Sequence, residues 1–353
     1  FRWLLTKALL GGTERKNFLA SGRHVVIKTF LLPTNMDRTG SFEDPYFEPL
    51  TAQLTENGKS IVILTQITHG YLNAVWRLRK ARLTNIFPFE YFISLRDIIL
   101  MGIKACIYSP KIKIQKLFEI EIGRLLKDDF ARTRVPISQL VFYCAAKNIA
   151  TDLDIERFIM TYENRGWENA CLLGLRQGRA SFPIVGYQHT VVLQAAMAYY
   201  LGRYEKRHKP LPDKIITVGP TSRTMMLEHG FYPENAVVSG VALRTSFVDT
   251  AQRCPVLQNR GNILLVLEGV PQMERLVTYC LTQFKDETCR TLMIRTHPEM
   301  PIGKYSGALQ TAIRSAGRAV LSENKPLYKD LEEADICIYW GSTVSLHAVA
   351  MGI

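Results

Sequence analysis

Three short clusters in the second half of the chain combine residue types that handle anions. Gly341-Ser342-Thr343 closes an apolar run and opens a helical stretch at Val344. A glycine there lets a ligand approach the backbone, and hydroxyls beside the free N–H groups of a helix start suit a phosphate. Arg295-Thr296-His297-Pro298 closes a second apolar run. Its guanidinium can grip a phosphate with two hydrogen bonds, its imidazole can donate to phosphate or ribose oxygens, and Pro298 ends the strand and fixes the turn. Leu267-Glu268-Gly269 closes a third run, with Glu268 a carboxylate for a sugar or ribose hydroxyl and Gly269 another point of close approach. Each cluster also has a plainer reading: Ser342 as a helix cap, His297 as a surface group, Gly269 as a routine turn.

Two clusters in the first half carry groups that can take a proton. Tyr162-Glu163-Asn164-Arg165 and Gly186-Tyr187-Gln188-His189 both end strand-like runs. A carboxylate or imidazole there can deprotonate a hydroxyl. Glu163 is the first candidate base, His189 the second and His69 a distant third. Arg165, Trp167 and Gln188 are candidates for contact with the hydroxyl's parent molecule, Trp167 by packing on a sugar ring. The plainer alternatives are a salt bridge from Glu163 to Arg165 or Arg176, and helix capping beside His189 by Thr190.

The elements that must hold these clusters are short, β-rich apolar runs separated by helical stretches. His24 to Leu32, Ser60 to Thr65, Arg157 to Tyr162 and Phe182 to Tyr187 read as buried strands, as do Lys214 to Val218, Ala236 to Ser239, Asn262 to Leu267, Thr291 to Ile294, Ala319 to Leu321 and Asp335 to Tyr339. Alternation of such strands with helices predicts two doubly wound α/β domains facing a cleft, with ligands beyond the carboxyl ends of the strands. A basic, proline-containing segment, Arg203 to Pro212, reads as the linker. The expected division is therefore 1–205 and 206–353, with a helical insertion at about 89–153 and a second domain cut short at its C-terminus. Within the insertion, Tyr91 to Tyr108 reads either as a core-facing amphipathic helix or as a membrane-surface helix.

Composition narrows the classes. The chain has 353 residues, 47% of them hydrophobic, and 44 Lys+Arg against 32 Asp+Glu give a net charge of +12. That apolar content is too high for a disordered chain, and no run approaches the roughly 18 apolar residues that span a bilayer. Seven scattered cysteines without a CxxC pair read as reduced core residues of an intracellular protein. Neither GxGxxG nor the Walker pattern occurs, no HExxH or Cys/His ligand spacing is present, and the dispersed basic residues lack a nucleic-acid motif. No cofactor and no metal are expected.

Taken together, Glu268-Gly269, His297-Pro298 and Ser342-Thr343 on a pair of doubly wound domains resemble a GT-B glycosyltransferase. The likeness is to the bacterial surface-carbohydrate group that includes polysialyltransferases and Kdo transferases; Tyr162 to Glu168 and Gly186 to Thr190 also look like segments of surface-carbohydrate proteins. The single acidic residue before Gly269 departs from the polysialyltransferase pattern. The resemblance implies transfer of a sugar from a nucleotide-activated, CMP-linked donor to a hydroxyl of a polysaccharide or lipid-linked glycan, without a metal. Donor binding would fall to Glu268, Gly269, Arg295, His297, Pro298, Gly341, Ser342 and Thr343, with Glu163 or His189 as base. UDP-sugar and CDP-glycerol transferases, a UDP-GlcNAc 2-epimerase and an inactive binding module share that architecture. A cytoplasmic protein is expected, with its basic surplus drawn to the inner face of the bacterial membrane where lipid-linked acceptors lie.

Overall fold

The computed structural model describes residues 1–31, 36, 41–107, 116–117, 119–133, 137–178, 181–190, 192, 197–243, 261–286, 289–298, 300–322 and 325–353. The chain divides into two units, Phe1–Arg244 and Thr245–Ile353.

In the first unit, runs too short and too β-branched for helices become strands: β1 (His24–Leu31), β2 (Ser60–Ile67), β3 (Ile86–Pro88), a small hairpin of β4 (Lys116–Leu117) and β5 (Ile120–Glu121), then β6 (Ile155–Thr161), β7 (Ile184–Gln188), β8 (Lys214–Thr217) and β9 (Val237–Ser239). Apart from the hairpin they form one parallel sheet in the order β3-β2-β1-β6-β7-β8-β9. β1 is buried along nearly its whole length, as a strand covered on both faces by helices must be. The helices are α1 (Arg2–Leu10), α2 (Thr13–Ala20), α3 (Glu48–Glu56), α4 (Tyr71–Lys80), α5 (Leu95–Ile107), α6 (Ile122–Thr133), α7 (Ile137–Asp152), α8 (Gly166–Gly178) and α9 (Pro220–Glu228).

Two expectations change. β8 and β9 are the sixth and seventh strands of the first sheet, so the boundary lies at 244/245 and not at 205/206. The basic segment at 203–212 connects neighbouring strands of one sheet: Lys209 Nζ and the Gly202 N–H both bond the Glu205 carboxylate there. Prolines and charges suit any exposed loop, so composition could not tell a connection from a linker. The described residues of the expected insertion are mostly helical apart from the β4-β5 hairpin, but its last helix is part of the core layer. Ala145, Ala146, Ile149 and Ala150 of α7 are fully buried. α7 packs on α8 at backbone distance because α8 offers Gly174 and Gly178 one turn apart: a Cβ on Gly174 would stand 2.3 Å from the Tyr143 carbonyl oxygen, and one on Gly178 2.5 Å from that of Lys147.

The second unit has four parallel strands, β10 (Asn262–Val266), β11 (Thr291–Arg295), β12 (Ala319–Leu321) and β13 (Ile336–Tyr339), in the order β12-β11-β10-β13. Its helices are α10 (Met273–Gln283), α11 (Gly307–Ser315), α12 (Leu327–Glu333) and α13 (Val344–Ala350). The period of two sorts β10 between two cores: Ile263, Leu265 and Leu267 join Val277 and Leu309 on one face, while Leu264 and Val266 join Leu331 and Ala348 on the other.

Of the described cysteines, Cys171 and Cys280 are buried and Cys144 and Cys337 partly so, whereas Cys289 is exposed and is not a core residue. Cys254 and the Cys106 side chain lie outside the described residues. Among the described residues no helix is long and apolar enough to cross a membrane.

Replacing Gly174 with leucine forces α7 and α8 apart and is expected to cost about 1–3 kcal/mol in urea unfolding. Unchanged stability would show that the two backbones need not touch.

Candidate functional site

Each sheet reverses its strand order beside its first strand. β1 has β2 on one side and β6 on the other, and β10 has β11 on one side and β13 on the other. At such a point the flanking connections leave toward opposite faces and open a crevice beyond the carboxyl ends of the strands. The sequence candidates fall at these two places.

In the first unit, Glu163 follows β6 on a segment bent by Asn164, whose φ of 59° is left-handed. Glu168 holds that segment. Fully buried at the start of α8, its carboxylate accepts the Glu163 N–H at 2.9 and 3.0 Å and the Arg165 N–H at 2.8 Å. The Glu163 side chain stays partly exposed and accepts from Arg165 Nε at 3.2 Å and Thr190 Oγ1 at 3.3 Å. His189, following β7, brings Nε2 to 3.7 Å from Glu163 Oε1, and its ring meets Tyr46 edge to face at 4.5 Å. The Thr190 hydroxyl bonds that of Tyr199. The two leading base candidates, apart by 26 positions in sequence, are thus neighbours, and a carboxylate beside an imidazole can share and pass a proton. Arg165 is exposed and pairs with Glu163, which is also its plainer sequence reading. His69 is exposed on the loop after β2.

Two acceptor-side expectations are corrected. Gln188 is fully buried; its amide bonds the Thr190 carbonyl and receives the Val218 N–H at 3.5 Å, so it shapes the turn that carries His189. Trp167 is packed among Phe30, Phe142 and the Lys28 ammonium, the last 3.5 Å from the ring centroid. Its ring is held against the interior and stays only partly exposed, so it is not the free-standing platform expected.

Beneath this surface lies a charged interior that patterning did not single out. Lys28 of β1 is fully buried between Phe30 and Trp167, and its amine has no hydrogen-bond partner among the described residues. Burial pushes it down to about 7, against the pull of Glu168, while burial pushes Glu168 up to about 8. Asp44 is also buried and raised by desolvation; Oδ1 accepts the Thr29 hydroxyl at 2.8 Å and the N–H groups of Tyr46 and Phe47. A lysine inside the apolar run His24 to Leu32 was the available signal. Tyr46 and Tyr199 carried none.

In the second unit the motif residues from three strands meet. Glu268 follows β10 and Gly341 follows β13: a Cβ on Gly341 would stand 2.7 Å from Glu268 Oε1. His297 follows β11 and covers Gly269, where a Cβ would stand 2.8 Å from His297 Nδ1. A side chain at either glycine would have to displace the carboxylate or the imidazole that fills this space. Pro298 lies in the turn closed by the Met300 N–H on the His297 carbonyl at 2.9 Å. Ser342 Oγ accepts the Val344 N–H at 3.3 Å, and the Ser342 and Thr343 carbonyls accept the N–H groups of Ser345 and Leu346, so both residues build the start of α13.

Arg295 does not join them. Its Nη1 donates to Asp330 Oδ2 at 2.5 Å and to the Lys325 carbonyl at 2.8 Å, and Asp330, fully buried, also accepts the Ser322 hydroxyl. Through Nη1 the guanidinium neutralises an interior carboxylate. Asp330, on α12, was invisible to motif reading because nothing in its neighbourhood marks it as buried. Among the described residues no group of three or more His, Cys, Asp or Glu side chains could hold a metal ion.

No protein-family model matches the chain, and no curated protein does. Solved structures similar to it include a glycosyltransferase from Rickettsia africae, at 11% identity and TM-score 0.45, covering 94% of this chain and 78% of that one. MurG from Acinetobacter baumannii is similar at 15% identity and TM-score 0.43, covering 90% and 71%. UDP-N-acetylglucosamine 2-epimerase from Rickettsia bellii is similar at 8% identity and TM-score 0.48, covering 93% and 76%. With TM-scores under 0.5, these likenesses decide neither residue roles nor activity.

Two substitutions probe the site's construction. Arg295→Ala strands the buried Asp330 charge and is expected to cost the second unit about 3 kcal/mol in chemical unfolding; a stable protein that merely binds ligand less well would return Arg295 to the site. Lys28→Met removes a buried amine whose folded pKa lies below its unfolded value, so the cost of the charge is present at low pH and disappears as pH rises through about 7 toward 10.5. The variant is expected to melt higher than wild type near pH 6, where Glu168 is protonated, and to lose that advantage in the alkaline range. A pH-independent difference would contradict the assignment.

Proposed function

We propose that the chain is a glycosyltransferase of the GT-B architecture, moving a sugar from a nucleotide-activated donor to an acceptor hydroxyl. The observation that carries this reading is the meeting of Glu268, Gly269, His297 and Gly341 at the point where the second sheet reverses its strand order. Two glycines clear the backbone, a carboxylate can bind sugar or ribose hydroxyls, and an imidazole can face a phosphate. With Arg295 tied to Asp330, His297 is the basic side chain left among the proposed donor residues, and Ser342 and Thr343 follow β13 at the same edge of the sheet. The leaving phosphate would draw its charge stabilisation from these groups with no metal ion.

Acceptor activation falls to the first unit. Glu163 is the base, because its carboxylate is partly exposed and accepts two hydrogen bonds that hold it in place. His189, 3.7 Å away and mostly buried, orients it and can receive the proton. A CMP-linked donor is favoured on the motif resemblance, with a polysaccharide or lipid-linked glycan as acceptor at the cytoplasmic face of a bacterial membrane.

A thermal-shift series with CMP, CDP, UDP and GDP tests the donor half. One nucleotide is expected to raise the melting temperature selectively, and His297→Ala to weaken it by about tenfold or more. Glu163→Gln should keep that shift and lose transfer. No response to any nucleotide would sink the reading in favour of a binding module, and a response to UDP alone would exclude the CMP donor.

A further inference from the structure

Three helices of the first unit carry apolar side chains that are half exposed or more. α1 and α4 lie against each other, and α1 reaches the start of α5 through Trp3, whose indole N–H donates to the Ile93 carbonyl at 2.6 Å. Across these three neighbouring helices, Leu4, Leu72, Trp76, Leu95, Ile99 and Ile103 are each between 50% and 61% exposed. Leu72 and Trp76 are one turn apart on α4, and Leu95, Ile99 and Ile103 repeat at the same spacing on α5, so each pair or triplet forms one stripe. Among the described side chains of α5, Met101 is buried and Ile98 partly so, while Leu95, Ile99, Leu100 and Ile103 are exposed.

The charges around the stripes are predominantly basic. α1 and α4 contain Arg2, Lys7, Arg77, Arg79 and Lys80 and no acidic residue. Glu90, on the turn after β3, meets Arg2 at 3.7 Å. α5 adds exposed Arg96 and Lys104, and its one acid, Asp97, is held by Ser94 and Asn148. The Arg79 guanidinium lies over the exposed Trp76 ring, 5.7 Å from its centroid. An indole with a cation on its face suits the boundary between hydrocarbon and headgroup, since the ring enters the apolar layer while the charge stays with phosphate.

We infer that α1, α4 and α5 dock this chain on the surface of an anionic phospholipid bilayer, with Leu72, Trp76 and Ile99 entering the acyl boundary and Arg79, Lys80 and Arg96 meeting the headgroups. A protein partner or a second copy would need acids opposite those cations, whereas a bilayer containing anionic lipid supplies charge and apolar depth together. The inference stands apart from the donor and base assignments, because none of its residues belongs to them.

Co-sedimentation of the whole chain with vesicles tests it, using phosphatidylcholine alone and a mixture of one part phosphatidylglycerol to two of phosphatidylcholine. Binding is expected on the mixed vesicles at low salt, and at least about tenfold weaker on neutral vesicles or in high salt. Leu72→Ser with Trp76→Ser should keep the melting temperature and lose about tenfold in binding. Arg79→Ser with Lys80→Ser should lose a similar factor and flatten the salt dependence. Equal binding to both vesicle types, or wild-type binding by either variant, would overturn the inference. So would light scattering that finds a dimer split by the Leu72 and Trp76 changes without vesicle binding, which would assign the face to a second copy.

Discussion

A parallel sheet sends every strand end to one edge, and a chain that returns to the far side of its first strand must send its connections to opposite faces. Both units obey this constraint. β1 is left first toward β2 and later toward β6; β10 is left first toward β11 and later toward β13. Backbone therefore cannot close over the ends of β1 and β10, and the residues that follow their neighbours are brought together whatever their distance in sequence. Glu163 and His189 meet in the first unit, and Glu268, Gly269, His297 and Gly341 in the second, because strand ends are the positions that topology gathers.

Much of this was legible beforehand. The strand runs were marked by β-branched residues and short length, and strand-end reading located Glu163, His189, Glu268 and His297 before any coordinates. What escaped was decided by partners far away in sequence. Arg295 looks like a phosphate ligand until Asp330, 35 positions on, is seen to hold it. Trp167 looks like a sugar platform until Lys28 and Phe30 are found against its ring. Gln188 becomes interior only because β8 follows β7 in the sheet, and that pairing also moved the unit boundary from 205 to 244. α1 and α2, before the first strand, carried no pattern sharp enough to define them.

The first unit places charge inside its core in a way the second does not. Lys28, Asp44 and Glu168 are all buried near the β1 and β6 strand ends, and the carboxylates satisfy themselves on backbone N–H groups: Asp44 on Tyr46 and Phe47, Glu168 on Glu163 and Arg165. A carboxylate bound to main-chain donors freezes the loop that owns them, since those N–H groups would otherwise be left unmet in the interior. The turn at Tyr46 and Phe47 before α3 and the segment after β6 are thus held from below, leaving Glu163 to face outward on a rigid support. In the second unit the comparable buried acid, Asp330, spends itself on Arg295 and Ser322.

The contacts across the two glycines of the second unit tie positions in pairs. Glu268 occupies the volume a side chain at 341 would need, and His297 occupies that of a side chain at 269. A methyl group at 341 pushes the carboxylate aside and one at 269 displaces the imidazole, whereas shortening Glu268 or His297 with its glycine kept meets no clash. Among descendants of this sequence, enlargement at 341 should travel with a shortened residue at 268, and enlargement at 269 with loss of the ring at 297. The site would then drift in pairs of positions, along two separate tracks.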